Sequence, residues 1–252
     1  MNHVKANLKA GKPQIGTWMT LPGVHYCHWL AAAGFDWIMV DTEHSPMGNQ
    51  AMAEAVATLV RSPAVPFVRV PRGTLEDIKR ALDCGSWGVL CPMVNSRAET
   101  EQIVSWSKYP PQGVRSAGAY GPDFFGVDMA TYVAQANEQL MVMVQIESVE
   151  GIRHADEIVS TPGLDCVFIG PGDLSISLGI GVRSDNTHPK YLEATQKVLD
   201  ACAKHGVAAG VMVSDAAAAN RALERGFRFI SISADAGLIP RLFGEELSKV
   251  RR

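Results

Sequence analysis

The sequence predicts a (β/α)8 TIM barrel, and three observations carry the prediction. Eight apolar, β-branched-rich runs recur along 252 residues, and helix-length segments lie between them. Several of those segments end on a glycine, the residue that closes helices in a left-handed conformation. Strand, helix and strand in alternation make parallel pairs, because each helix carries the chain back to where the previous strand began. About 250 residues is the usual size of one such barrel. Residues 1–252 are therefore read as a single domain with an additional C-terminal helix, open to exchange between subunits.

The strand runs fall at 14–19 (QIGTWM), 37–41 (WIMVD), 66–70 (PFVRV), 88–92 (GVLCP), 140–147 (LMVMVQIE), 165–170 (DCVFIG), 207–213 (VAAGVMV) and 227–232 (FRFISI). Helical patterns occupy 25–34, 49–61, 74–85, 97–107, 188–206 and 216–226, with Gly34, Gly85, Gly206 and Gly226 at their ends. Residues 108–139 form a Gly- and Pro-rich excursion between the fourth and fifth strands, expected to cap the site because connections of that length are functional or interfacial. The terminal stretch 237–252 carries Leu238, Ile239, Leu242, Phe243, Leu247 and Val250 on a face that needs burial, on its own barrel or on a neighbour's.

Composition removes several classes of function. Lys+Arg 23 against Asp+Glu 26 gives a net charge of -3 without a basic block, which argues against nucleic acid as a partner. No segment approaches the roughly 20 apolar residues that span a bilayer, and the N-terminus has no apolar signal region, so no membrane partner is expected and the location is read as cytoplasmic. Five cysteines without a C-x-x-C pair fit neither a disulfide framework nor a zinc cluster; they are read as reduced core thiols. No nucleotide-binding glycine loop appears.

In a barrel the chemistry gathers at the C-terminal ends of the strands. Two carboxylates, Glu147 and Asp173, close successive strands there. They are placed to share one hard divalent cation, with positions left for water and a chelating substrate. Either acid is also compatible with a helix N-cap. The second strand ends in Asp41-Thr42-Glu43-His44, putting an imidazole at the rim, and the third ends at Arg69. His44 suits a general base and Arg69 a permanent cation for an oxyanion. The plainer alternatives are a satisfied loop histidine, and an arginine paired structurally with Asp41 or Glu43.

Long motifs in a fixed order then resemble the metal-dependent pyruvate aldolases of the HpcH/HpaI type, in the phosphoenolpyruvate/pyruvate barrel superfamily. They are GTW at 16–18, AGFDWIMVDTEH at 33–44, VRVP at 68–71, CPMVNSRAE at 91–99, YPPQGVR at 109–115, VQIES at 144–148 and FIGPGDLSISLG at 168–179. The resemblance implies reversible cleavage of a 4-hydroxy-2-oxoacid, of the 2-keto-3-deoxy sugar acid type, to an aldehyde and pyruvate or a close analogue such as hydroxypyruvate, via a metal-stabilised enolate. It makes Glu147 and Asp173 ligands to Mg2+, Mn2+ or Co2+, with Gln145, Gly172, Asp173 and Arg69 as substrate contacts. It makes His44 the base, Arg69 the transition-state stabiliser, Asp83 the acid that raises the basicity of the histidine, and Asp41 a group that orients a water or the imidazole. It also favours a homohexamer. Asp83 precedes the fourth strand and so lies at the opposite end of its own barrel, from where it either reaches a site in another subunit or is structural. The segment 118–128 has no basic residue, which points to a neutral or hydroxylated aldehyde. The rival readings are an acyl-CoA lyase of the citrate-lyase-like type and a non-catalytic metabolite-binding barrel.

Overall fold

The computed structural model describes residues 2–118, 120–182 and 187–251. The strands are β1 (Gln14–Met19), β2 (Trp37–Asp41), β3 (Val65–Arg69), β4 (Gly88–Cys91), β5 (Met141–Ile146), β6 (Cys166–Ile169), β7 (Ala208–Val213) and β8 (Phe229–Ala234). They pair in parallel in sequence order, and β1 closes on β8 to complete the expected barrel. Closure depends on a close approach at Gly16. A Cβ there would stand 2.1 Å from the Trp37 ring, and that ring stacks on Phe229 of β8 with centroids 4.0 Å apart. Any side chain at position 16 would push apart the packing that joins the first strands to the last.

Side chains alternate in and out along each strand. Trp18, Trp37, Met39, Phe67, Leu90, Met143, Phe168 and Phe229 fill the lumen as one cluster. Their neighbours Ile38, Val40, Val68, Val89, Val144, Val167 and Ile169 face the surrounding helices in a second, larger cluster. Truncating one lumen ring to alanine removes its contacts on every side and costs about 3–5 kcal/mol.

The helices begin where side chains satisfy their free N–H groups. Thr74 caps Leu75–Asp83, Asp215 caps Ala216–Arg225, and Ser96 with Glu99 forms a reciprocal box at Arg97–Ser107. Gly34, Gly85, Gly206 and Gly226 all adopt positive φ, as their placement after helices requires. Helix His3–Lys9 has no counterpart in the sequence reading, Pro171–Ser177 is the helix for which Asp173 is a candidate cap in the sequence, and β5 and β6 are joined by two short helices, Val149–Arg153 and Ala155–Val159.

The excursion 108–139 departs from expectation in both form and place. It contains the helices Gly121–Phe125 and Met129–Gln139. It does not cap its own barrel's C-terminal mouth. Helix Arg97–Ser107 has already returned the chain to the N-terminal end, where β5 must start, and the described residues of the excursion pack there. Phe125 lies against Trp87, just before β4, with centroids 4.3 Å apart, and the Tyr120 N–H donates to the carbonyl of Asp83. The Lys108 ammonium donates to the carbonyls of Asn137 and Leu140, 2.7 and 3.3 Å away.

The last helix, Asp235–Ser248, buries only Asp235. Its first residue holds the rim: the Asp235 carboxylate accepts the Thr20 and Leu21 backbone N–H groups at 2.9 and 3.1 Å. Beyond Pro240 the helix leaves the barrel, with Leu242, Phe243, Leu247 and Val250 exposed. All five cysteines are free thiols; Cys27, Cys91, Cys166 and Cys202 are buried and Cys84 half-buried. Among the described residues no helix is long and apolar enough to cross a membrane.

Candidate active site

Asp41 and Arg69 end adjacent strands in register, and both side chains point into the mouth of the barrel. The Asp41 carboxylate takes the guanidinium in a fork, with Nε 2.8 Å from Oδ1 and Nη2 2.6 Å from Oδ2. It also accepts the Glu43 and His44 backbone N–H groups at 3.0 and 3.4 Å, which winds the loop after β2 tightly round the strand end. The third guanidinium nitrogen, Nη1, lies 3.1 Å from Glu43 Oε2. Trp18 of β1 stacks beneath, its ring 4.3 Å from the guanidinium carbon. Arg69 is thus fixed on three sides, as a charged fork in a low-dielectric mouth must be to keep one orientation. Both structural pairings open to Arg69 are therefore made, and the site contains them. The His44 side chain is 62% exposed, and its Nε2 stands 3.8 Å from the same Glu43 oxygen.

Across the mouth, Gln145 and Glu147 leave the end of β5. Glu147 is buried; Oε1 accepts the Met93 N–H at 2.9 Å and Oε2 accepts from Gln145 Nε2 at 2.9 Å. Burial pushes its carboxyl up to about 7, with the Met93 donor opposing and the charges of Asp173 and Glu43 adding to the rise. Burial likewise raises Glu43, against the pull of Arg69. Gly170 makes room for Glu147, since a Cβ there would stand 1.9 Å from Oε2. Met93 donates its N–H from a left-handed conformation, φ 55, that β-carbon-bearing residues rarely adopt. Gln145 Oε1 and Trp18 Nε1 are buried without a hydrogen-bond partner.

Gly172 and the exposed Asp173 stand in the first turn of helix Pro171–Ser177, which begins at the end of β6. Neither acid is a helix cap: the cap of that helix is Gly170, with no side-chain bond, and Ser148 caps the helix after Glu147. Asp41, Arg69, His44, Gln145, Glu147, Gly172 and Asp173 therefore share the rim. Asp83 does not. It ends helix Leu75–Asp83 at the far end of the barrel, where Arg115 Nη2 lies 3.1 Å from its Oδ1. Among the described residues no three His, Cys, Asp or Glu side chains form a ready metal-ligand group. The sequence reading names Glu43 only as a structural partner of Arg69 and not as a member of the site; nothing in the sequence marks Met93.

A closed parallel barrel with an arginine and acids gathered at its C-terminal mouth defines a (β/α)8 enzyme. The family profile described as HpcH/HpaI aldolase/citrate lyase matches residues 14–240. The chain is 37% identical over 239 residues to the 5-keto-4-deoxy-D-glucarate aldolase of Shigella boydii, covering 94% of this chain and 91% of that one. A solved HpcH/HpaI aldolase/citrate lyase family protein from Burkholderia cenocepacia superposes with TM-score 0.93 at 33% identity, covering 100% of both chains. The citrate synthase SbnG superposes with TM-score 0.86 at 28% identity, covering 97% of this chain and 95% of that one. The protein belongs to the HpcH/HpaI aldolase/citrate lyase family, as its motifs suggested, and is a carbon–carbon lyase.

Proposed function

We propose that this chain is a class II aldolase that cleaves a 4-hydroxy-2-oxoacid of the 2-keto-3-deoxy sugar acid type to an aldehyde and pyruvate or hydroxypyruvate. The observation that carries the reading is the charge of the mouth. Four carboxylates, Asp41, Glu43, Glu147 and Asp173, face the single guanidinium of Arg69. An excess of carboxylates with Asp41 and Glu147 buried is costly unless a cation offsets it, and an all-oxygen donor set suits a hard divalent ion. The unpartnered Gln145 Oε1 beside Glu147 fits the same picture, as an acceptor waiting for a water or substrate hydroxyl. Glu147 and Asp173 would hold the ion, with Mg2+, Mn2+ or Co2+ as candidates. When bound it acts as a Lewis acid on the 2-oxo group.

The protein's own groups divide the remaining work. Arg69, forked onto Asp41 and ion-paired with Glu43, offers positive charge to the oxygen that becomes negative as the C3–C4 bond breaks. The electrons of that bond pass to C3, and the 4-hydroxyl proton passes to His44, which releases the aldehyde. A proton delivered to C3 completes pyruvate. Gly172, beside open space, would receive the substrate carboxylate at its backbone N–H.

We also read the exposed apolar face of the last helix as docked on a second copy of the chain, in a homo-oligomer for which a hexamer is favoured. Such an assembly is the one route by which Asp83, or the segment 118–128, comes near a catalytic mouth. Five free thiols fit a reducing, cytoplasmic setting. The test is pyruvate release from a panel of 4-hydroxy-2-oxoacids, coupled to lactate dehydrogenase, with and without EDTA. Cleavage lost to EDTA and restored by Mg2+ or Mn2+ is expected; cleavage indifferent to chelation, or none on any oxoacid, would overturn the reading. Light scattering that showed an active monomer would refute the assembly.

A further inference from the structure

The carboxylate that His44 meets inside its own chain belongs to Glu43. Asp83 stands at the other end of the barrel in a pair with Arg115. Asp41 spends both oxygens on Arg69 and on the loop's own N–H groups. Glu43 is different, because one oxygen, Oε2, faces both working groups: 3.1 Å from Arg69 Nη1 and 3.8 Å from His44 Nε2. Its side chain is 16% exposed, so its charge meets that of Arg69 where water screens little, while the His44 ring it faces is 62% exposed. That oxygen is buried and makes no hydrogen bond of good angle in this state, so it retains accepting capacity for a neighbouring N–H.

We propose that Glu43 is a positioning residue: it orients the His44 ring with Nε2–H toward its carboxylate, so that Nδ1 is the nitrogen presented to substrate. A neutral imidazole carries one proton, and the nitrogen that faces an anion keeps it. When Nδ1 takes the 4-hydroxyl proton the ring becomes a cation, still facing the carboxylate through Nε2–H. The same carboxylate steadies Arg69 beside the Asp41 fork, so one side chain touches both the base and the oxyanion-holding cation. This assignment rests on the aldolase reading for its consequence and on geometry alone for the tautomer.

Two measurements on the full-length protein test it. Magic-angle-spinning NMR of the 15N-histidine-labelled chain, with His44 signals assigned by difference against His44→Asn, is expected to show the Nε2–H form dominant and to lose that preference in Glu43→Gln. An unchanged tautomer ratio would overturn the proposal whether or not the enzyme turns over. In cleavage assays Glu43→Gln should lower kcat about 30-fold with little change in KM, but lower it less than about 3-fold in a His44→Asn background. Equal losses in both backgrounds, or a loss confined to KM, would overturn it. Glu43→Asp keeps the charge at shorter reach and carries the same cycle if the glutamine variant fails to fold. A wild-type chain that cleaves no oxoacid would remove the proposed function and leave the tautomer result standing.

Discussion

The two ends of the barrel bury charge in opposite ways. At the N-terminal end the buried cations are paired or bonded within the chain, although Arg115 Nε and Nη1 lack partners. Lys5 Nζ lies 2.9 Å from Asp165 and 2.6 Å from the Leu140 carbonyl, Asp165 also accepts the Val142 N–H, and Arg115 pairs with Asp83 between the rings of Tyr109 and Tyr132. At the C-terminal end the acids outnumber the cations, a methionine is held at positive φ, and Trp18 Nε1, Glu43 Oε2 and Gln145 Oε1 lack hydrogen-bond partners. The first arrangement ties segments distant in sequence into one body. The second leaves a surplus of negative charge at the mouth that the chain's own cations do not match.

The largest effect expected from that difference is at Glu147. Glu147→Gln should lower metal-dependent turnover by about 10³-fold or more while leaving thermal stability equal or slightly higher, because a carboxyl that burial raises to about 7 is no asset to the fold. Full activity of this variant after chelation and readdition of Mg2+ would break the comparison at the mouth. His44→Ala comes next, with kcat for cleavage down about 10²-fold or more and pyruvate affinity by calorimetry nearly unchanged. An unaltered kcat across the pH range would exclude the histidine.

The other end should behave in reverse. Lys5→Met strands Asp165 beside β5 and is expected to lower stability by about 2–3 kcal/mol in denaturant titrations, with kcat of the folded fraction unchanged. A loss of activity without a loss of stability would reverse the assignment. The smallest effect concerns Lys108, which burial, with Lys5 adding, lowers to about 8. Between that value and its ordinary 10.5 the unfolded chain binds more protons than the folded one. Lys108 should therefore make stability rise as pH climbs through this window, and fall away as pH drops toward 8, by on the order of 1–2 kcal/mol. In Lys108→Met that rise should flatten; an identical slope in both proteins would show that the ammonium is not desolvated.

Much of this was legible in the sequence because parallel barrels write themselves as continuous apolar runs. Strands covered on both faces need apolar residues at nearly every position, and WIMVD, LMVMV and CVFI announce β2, β5 and β6. The rim was legible for a related reason, since Asp41, Arg69 and Glu147 interrupt or end those runs where a merely structural strand would not carry charge. The excursion 108–139 was not. Its glycines and prolines suggest a loop over the site, whereas its direction is fixed by which end of the barrel the preceding helix reaches, a fact of topology that local composition does not record. Glu43 escaped for another reason: its place depends on the turn Asp41 imposes by accepting two backbone N–H groups, and that turn exists only once Arg69 has fixed the aspartate.

The burial of the thiols makes the chain a reporter of its own opening. Only thiolates react quickly with alkylating and disulfide reagents, and burial pushes Cys27 up to about 11 and Cys202 to about 12, and Cys91 and Cys166 higher still. The four stand in different elements: Cys27 on the helix Val24–Ala31, Cys91 at the end of β4, Cys166 at the start of β6, and Cys202 on the long helix Pro189–His205. Labelling of the native protein is thus gated by fluctuation and not by chemistry. The order in which these sulfurs become reactive is a clock on which part of the barrel opens first.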